Sequence, residues 1–280
     1  MRPEVVGFFD EETFTVSYVV ADAETRHCAI IDSVLDFDPA SGRTRRRSAE
    51  KLLAHIAARH LEVEWILETH VHADHLSAGD FLKARLGAKL GIGEHVATVQ
   101  QTFGAIFEAG GGFARDGRQF DRLFKDGDTF PIGRLTARVM HTPGHTPACI
   151  SYVIGDAVFV GDTLFMPDYG TARCDFPGGD AAELYRSIRR IFALPPETRM
   201  FLCHDYKAPG RDEYRWETTV GEQRARNVHI HDGISEAEFV AMRTERDKKL
   251  TMPKLILPAV QVNMDAGRVP KFLKIPVDVL

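Results

Sequence analysis

The stretch Thr69-His70-Val71-His72-Ala73-Asp74-His75 sets three imidazoles and a carboxylate close together in the chain. Three further groups of the same kind follow it. "HTPGHTP" carries His141 and His145, "GDTLF" carries Asp162, and "CHDY" carries His204 and Tyr206. Imidazole plus carboxylate without thiolate suits a catalytic zinc, iron or manganese ion better than a cysteine-rich structural zinc. One histidine at a strand end is most often a satisfied polar residue. Recurrence on four segments, one of them HxHxDH, points to metal ligation instead. At the level of residue types, one ion and two ions both stay open.

Reactive groups of this kind need strand ends and tight loops to hold them. "VEWILETH" runs into His70, "AVFVGD" into Asp162 and "RMFLCH" into His204, and each reads as a short strand. The Gly144-His145 step lets backbone approach a crowded centre. Upstream, "TFTVSYVVAD" and "HCAIIDSVLDF" around the turn "AETR" predict a hairpin. Helices are predicted over "RRSAEKLLAHIAARHLE", "SAGDFLKARLG", "HVATVQQTFGAIFEA", "DAAELYRSIRRIFAL" and "ISEAEFVAMRTERDKKL". The last opens with Ser235 and Glu238 at capping-box spacing. "GGGFARDGRQFDRLFKDGD" reads as loop, and four prolines after Thr251 predict an extended, docked tail. The order of elements implies an α/β fold of sheets covered by helices.

Composition narrows the class. The chain has 280 residues, 44% of them hydrophobic and 27% charged, with a net charge of -5. The basic residues are scattered, so neither nucleic acid nor a membrane surface is an expected partner. No cationic segment followed by an apolar run opens the chain, and no apolar run reaches the roughly 20 residues of a membrane span. Cys28, Cys149, Cys174 and Cys203 are far apart and read as free thiols, which makes the cytoplasm the expected compartment.

"THVHADH", "HTPGHTP", "GDTLF" and "CHDY", in that order, resemble the metallo-β-lactamase superfamily. The resemblance implies an αββα sandwich: two mixed β-sheets flanked by helices, with metal sites at the edge between the sheets. "HADHLSAG", "GHTPAC", "ARCDF", "TTVGEQRARN" and the late "MPKLILPAVQVNM" resemble one branch, the persulfide dioxygenases of the ethylmalonic-encephalopathy protein family. The stretch between His75 and His145 is longer than in the compact eukaryotic type and is similar to a bacterial long-insert subtype. The expected organisation is a catalytic domain over residues 1–230, with a helix–loop insert around 95–122, then a C-terminal helix and docked tail over 231–280. Residues 99–120 are expected to form either a lid over the pocket or a surface helix.

In that branch one Fe(II) is held by two histidines and one aspartate, which by motif are His70, His145 and Asp162. Such a set leaves three positions for substrate and O₂. His72, Asp74, His75 and His204 would be outer hydrogen-bonding groups there, or the second metal site of a dinuclear hydrolase. The implied substrates are O₂ and glutathione persulfide or a related small persulfide, giving thiol and sulfite. Arg173 and Arg224 match family arginines and are expected to bind substrate carboxylates. Tyr206 is expected to bind substrate and, with His204, to act in catalysis. Asp175 is expected to position Arg173 or a loop amide. The alternative activity is a zinc hydrolase, with one or two Zn(II), acting on a thioester or lactone in the manner of glyoxalase II. A homodimer is a further expectation from the family.

Overall fold

Runs of β-branched residues build two separate sheets, one in each of the two compact units of the chain. The computed structural model describes residues 1–278. The first unit comprises residues 4–124, 132–134 and the chain from Met252 onward. It opens with strands β1 (Glu4–Asp10), β2 (Thr15–Ala21) and β3 (His27–Ile31). The short strands β4 (Val34–Leu35), β5 (Phe37–Asp38) and β6 (Arg43–Thr44) follow. Then come α1 (Arg47–Ala58), β7 (Glu62–Leu67), β8 (Leu76–Ser77) and α2 (Gly79–Leu86). The run ends with β9 (Lys89–Gly93), α3 (Val96–Ile106) and β10 (Arg122–Phe124).

The sheet order is β1-β2-β3-β7-β9-β10. The predicted hairpin forms, with β2 and β3 antiparallel and the Asp22 carboxylate accepting from Glu24 N and Thr25 Oγ1 in the turn. From β3 onward the pairs are parallel, so each return needs a crossover; α1, α2 and α3 supply them. Parallel strands put their C-terminal ends on one edge. Asp32 follows β3 there, and Glu68, Thr69 and His70 follow β7. Strand β1, not expected from the sequence, pairs with β2 along all seven of its residues. β10 lies inside the stretch predicted as loop, too short to show a pattern. Residues 99–120 are fastened into this unit. Gln100 Nε2 donates to Gln119 Oε1 and Met264 O, its Oε1 accepts from Gly117 N, and Arg115 donates to Gly104 O.

The second unit comprises residues 1–3, 125–131 and 135–251. Its sheet, in simple order, contains β11 (Thr129–Ile132), β12 (Leu135–His141), β13 (Ile150–Ile154), β14 (Ala157–Phe159), β15 (Arg199–Phe201) and β16 (Glu217–Thr219). From β12 to β16 the neighbours are antiparallel except β14 and β15, which are parallel, and the helix α4 (Ala181–Phe192) makes their crossover. α5 (Val220–Arg226) and α6 (Glu236–Asp247) complete the unit. Leu184, Ile188 and Ile191 of α4 pack with Val158, Met200, Val220 and Phe239 into one buried core. Asp180 caps α4 by accepting from the amides of residues 182 and 183, and the predicted Ser235/Glu238 capping box is present.

The tail differs from the expectation of an extended segment. Residues 256–263 form the helix α7 (Ile256–Asn263), which packs against β8 in the first unit. Pro258 sits in the first turn, where the missing N–H has no intrahelical acceptor to satisfy, so it does not break the helix. Residues 268–278 do lack helix and strand, and positions 279–280 of the predicted tail lie outside the described residues. Two six-stranded sheets and seven α-helices among the described residues give the mixed α/β class expected. No described helix is long and apolar enough to cross a membrane.

Candidate metal centre

In the first unit, the loop after β7 brings the three histidines of "HVHADH" together with their rings tilted against one another. The ring centroids of His70 and His72 are 4.1 Å apart, and those of His72 and His75 are 4.2 Å apart. All three rings are buried, and Asp74 is half-buried beside them. His72, Asp74 and His75 each offer a ligand atom within one cluster.

The partners of these rings fix which nitrogen each can offer. His72 Nε2 lies 3.1 Å from Asp32 Oδ1 and 3.4 Å from Glu68 Oε2, so it carries the proton between two carboxylates. Burial pushes the His72 pKa down, but the charges of Asp32 and Glu68 and their hydrogen bonds outweigh it and hold the pKa well above the usual histidine value. Burial likewise pushes Asp32 up, and the His72 and His70 rings and Thr69 bring it below its usual value. Thr69 Oγ1 donates to Asp32 Oδ2 at 2.8 Å, so it accepts from His70 Nδ1 at 3.0 Å and leaves His70 Nε2 as the ligating atom. Asp32 therefore orients His72 directly and His70 through Thr69, in the manner of carboxylates behind metal-bound imidazoles. Asp32 holds this place at φ 50, a conformation rare for a residue with a side chain. His75 Nδ1 is 3.3 Å from Thr15 Oγ1. From α7, Asn263 Nδ2 donates to the carbonyls of His72 and His75, and its Oδ1 accepts from Ser77 N.

The donors of the second unit come from three strand ends. His145 lies in the loop between β12 and β13, Asp162 in the 3₁₀ turn Gly161–Thr163 after β14, and His204 after β15. The loop lies so close to α4 that a Cβ on Gly144, at φ 134, would run into the Leu184 backbone; only glycine fits. His145 Nδ1 is 2.8 Å from the Arg173 carbonyl, which only accepts, so Nδ1 bears the proton and Nε2 the lone pair. His145 Nε2 lies 3.7 Å from Asp162 Oδ2, and His204 Nε2 lies 3.2 Å from Asp162 Oδ1. The carboxylate thus turns one oxygen toward each imidazole.

These donors fit a metal ion of the expected kind. His72 Nδ1 is buried and has no hydrogen-bond partner, while Nε2 on the same ring is doubly held. A buried polar atom is rarely left so unless something absent from the protein chain satisfies it. The set is imidazole and carboxylate throughout, apart from the buried Cys203 thiol near Asp162 and His204.

Tyr206 is 36% exposed, and its ring stacks on His204 at 5.5 Å and lies 5.3 Å from Tyr169. The buried Asp205 beside it ties the loop down by accepting from Arg211 and from the amides of Lys207 and Arg215. Arg173 spends its fork inside the protein: Nε and Nη2 are each 2.6 Å from Asp175, and Nη1 donates to Thr251 O. Asp175 positions Arg173, as expected. Arg224 pairs with Asp232 at 2.9 Å with both side chains a little under half exposed. His141 ends β12 and its Nε2 meets Pro147 O. Asp32, Glu68 and Asn263 were not singled out from the sequence. "IIDS" and "LETH" place an acid at each of two strand ends, which is the one signal for Asp32 and Glu68; no pattern around Asn263 marks it.

The model of the metallo-beta-lactamase superfamily matches residues 11–204. A Burkholderia pseudomallei protein named a probable metallo-hydrolase is 56% identical, over 99% of each chain. Glyoxylase B2 of Dictyostelium discoideum is 48% identical, over 100% of this chain and 98% of its own. The bovine mitochondrial persulfide dioxygenase ETHE1 is 29% identical, over 92% of this chain and 87% of its own. The solved structure of ETHE1 from Myxococcus xanthus has 32% identity and a TM-score of 0.74, covering 96% of this chain and all of its own. The chain spans 65% of the length of the beta-lactamase hydrolase-like relatives from Xylella fastidiosa, at 52% identity.

Proposed function

The chain belongs to the metallo-beta-lactamase superfamily, and from that premise we propose that it is a persulfide dioxygenase with one Fe(II) held by His70, His145 and Asp162. The likeness to the Myxococcus ETHE1 structure along nearly the whole of both chains carries this reading. The reaction proposed is glutathione persulfide, dioxygen and water giving glutathione and sulfite, with release of protons. Two imidazoles and a carboxylate leave an Fe(II) open positions for the anionic terminal sulfur and for O₂.

The rest of the work falls to the chain. Asp32, acting through Thr69, and the Arg173 carbonyl hold protons on the Nδ1 atoms of His70 and His145 and so leave the ligating lone pair of each ring on Nε2. Tyr206, stacked on His204, offers a phenol to substrate oxygen or sulfur at the exposed rim. Of the two arginines, Arg224 has the more exchangeable partner and is the one we assign to a substrate carboxylate. Its pair with Asp232 is solvated and costs little to exchange, whereas Arg173 already bonds Asp175 through two nitrogens and Thr251 O through the third. Iron-loaded protein should consume O₂ and form sulfite when given glutathione persulfide, and Asp162→Ala should not. Iron-loaded parent protein that consumes no O₂ with any small persulfide defeats the reading.

A second reading, a dinuclear zinc hydrolase of thioesters or lactones, is favoured by two observations. Asp162 turns an oxygen toward each of two imidazoles, and His72 Nδ1 has no hydrogen-bond partner. Relatives of higher identity are named a probable metallo-hydrolase and a beta-lactamase hydrolase-like protein. Thioester turnover with two bound zinc ions per chain would establish it.

A further inference from the structure

The buried stripe of α6 is Phe239, Arg243 and Asp247, so two of its three inward side chains are of charged type. Arg243 is 1% exposed and ranks first by volume among the fully buried side chains described. Its Nε and Nη2 lie 2.9 and 2.6 Å from Asp247 Oδ1. A buried ion pair is poor evidence of stabilisation, because desolvation cancels much of the attraction and an apolar pair of similar size serves packing as well. The remaining hydrogen bonds of the pair indicate its use. Arg243 Nη1 donates to Thr171 O at 3.0 Å, and Asp247 Oδ2 accepts from Cys174 N at 2.9 Å.

The pair thus grips the segment 171–174 at both ends. That segment has little secondary structure of its own, only an isolated bridge between Thr171 and Leu164. Its Thr171 amide is taken by His229 Nδ1 at 3.0 Å. Between the two grips stands Arg173, whose carbonyl receives His145 Nδ1–H at 2.8 Å. The Arg173 side chain is stapled to Asp175 and to Thr251 O, just beyond α6. Moving the segment moves the carbonyl that fixes the tautomer of His145 and helps set the tilt of its ring.

Resting on the reading of His145 as a metal ligand, we propose that Arg243 and Asp247 are positioning residues for the metal centre. They act from α6, beyond the family match at residues 11–204, through the Arg173 carbonyl. The pair holds the carbonyl still, and the carbonyl holds the imidazole.

The test uses the full chain, stripped of metal and reloaded with Co(II), whose visible bands report the ligand geometry. The double variant Arg243→Met/Asp247→Leu removes both charges and keeps an apolar filling. Its metal-free form should unfold near the parent's urea midpoint, while its Co(II) affinity, read by chelator competition, falls about 10- to 100-fold and its bands shift. Asp247→Asn, which keeps an oxygen facing Cys174 N, should fall between the two and carries the test if the double variant does not fold. Bands and affinity equal to the parent's in either folded variant overturn the proposal, whatever the urea midpoint does. Parent protein that binds no Co(II) overturns it together with the metal reading. Parent protein that binds metal through these residues but takes up no O₂ with persulfide defeats only the proposed reaction.

Discussion

Replacing Asn263 by alanine removes one side chain and strands three backbone groups. Asn263 is 4% exposed, and its three hydrogen bonds run 2.7 to 2.9 Å to Ser77 N, His72 O and His75 O. Each bond contributes about 1 kcal/mol net, and each buried group left unpaired costs about 1–3 kcal/mol, less where water enters the space the amide leaves. The sum should lower the stability of the metal-free chain by about 3 kcal/mol in urea unfolding. The loss falls on the loop that carries three of the imidazoles, so metal affinity should drop at least about tenfold as well. Asn263→Asp is the sharper probe. It keeps the acceptor for Ser77 N but turns its second oxygen on two carbonyls, so above pH 6 it should be less stable than the alanine variant. An alanine variant within about 0.5 kcal/mol of the parent and with unchanged metal affinity would refute the idea that α7 clasps this loop.

Three more outcomes follow from the same structure. Burial, with Arg243 and Arg246 adding to it, lowers the His229 pKa to about 4. The unfolded chain then binds that proton more readily, so stability present above about pH 6.5 should decline as pH falls toward 4 by up to about 3 kcal/mol; His229→Asn should flatten that part of the stability profile. Asp32→Asn removes the carboxylate that holds the proton on His72 Nε2, and equilibrium dialysis should show metal binding weakened about 10- to 100-fold, with unchanged binding counting against the role given to Asp32. Burial, with the Glu64 charge, pushes the Cys28 thiol up to about 12, and burial raises Cys174 too; a thiol reagent at pH 8 should titrate these two cysteines only after denaturation.

The parts of the site written as dense local pattern were legible in the sequence. HxHxDH, PGHTP and GDTLF each put donor and turn residue within a few positions, and the strands that deliver them show short apolar or alternating patterns. Asp32 and Asn263 were not legible as site residues. Asp32 meets its histidines only because β3 and β7 are parallel neighbours, and Asn263 reaches back from a helix that four prolines had disguised as extended chain. Arg243 and Asp247 looked like ordinary charges on an amphipathic helix, since spacing alone does not say which face of α6 turns inward. β1 has a glycine and two acids among its seven residues, and only pairing with the fully buried β2 makes it a strand. The engagement of Arg173 by Asp175 and Thr251 is likewise set by the fold.

A crystal of anaerobically iron-supplied protein, with anomalous scattering collected at the iron edge, tests the central claim most directly. The expected result is one peak per chain, bonded to His70 Nε2, His145 Nε2 and an Asp162 oxygen. Two peaks sharing the Asp162 carboxylate, or a single ion bound without His70, would contradict it.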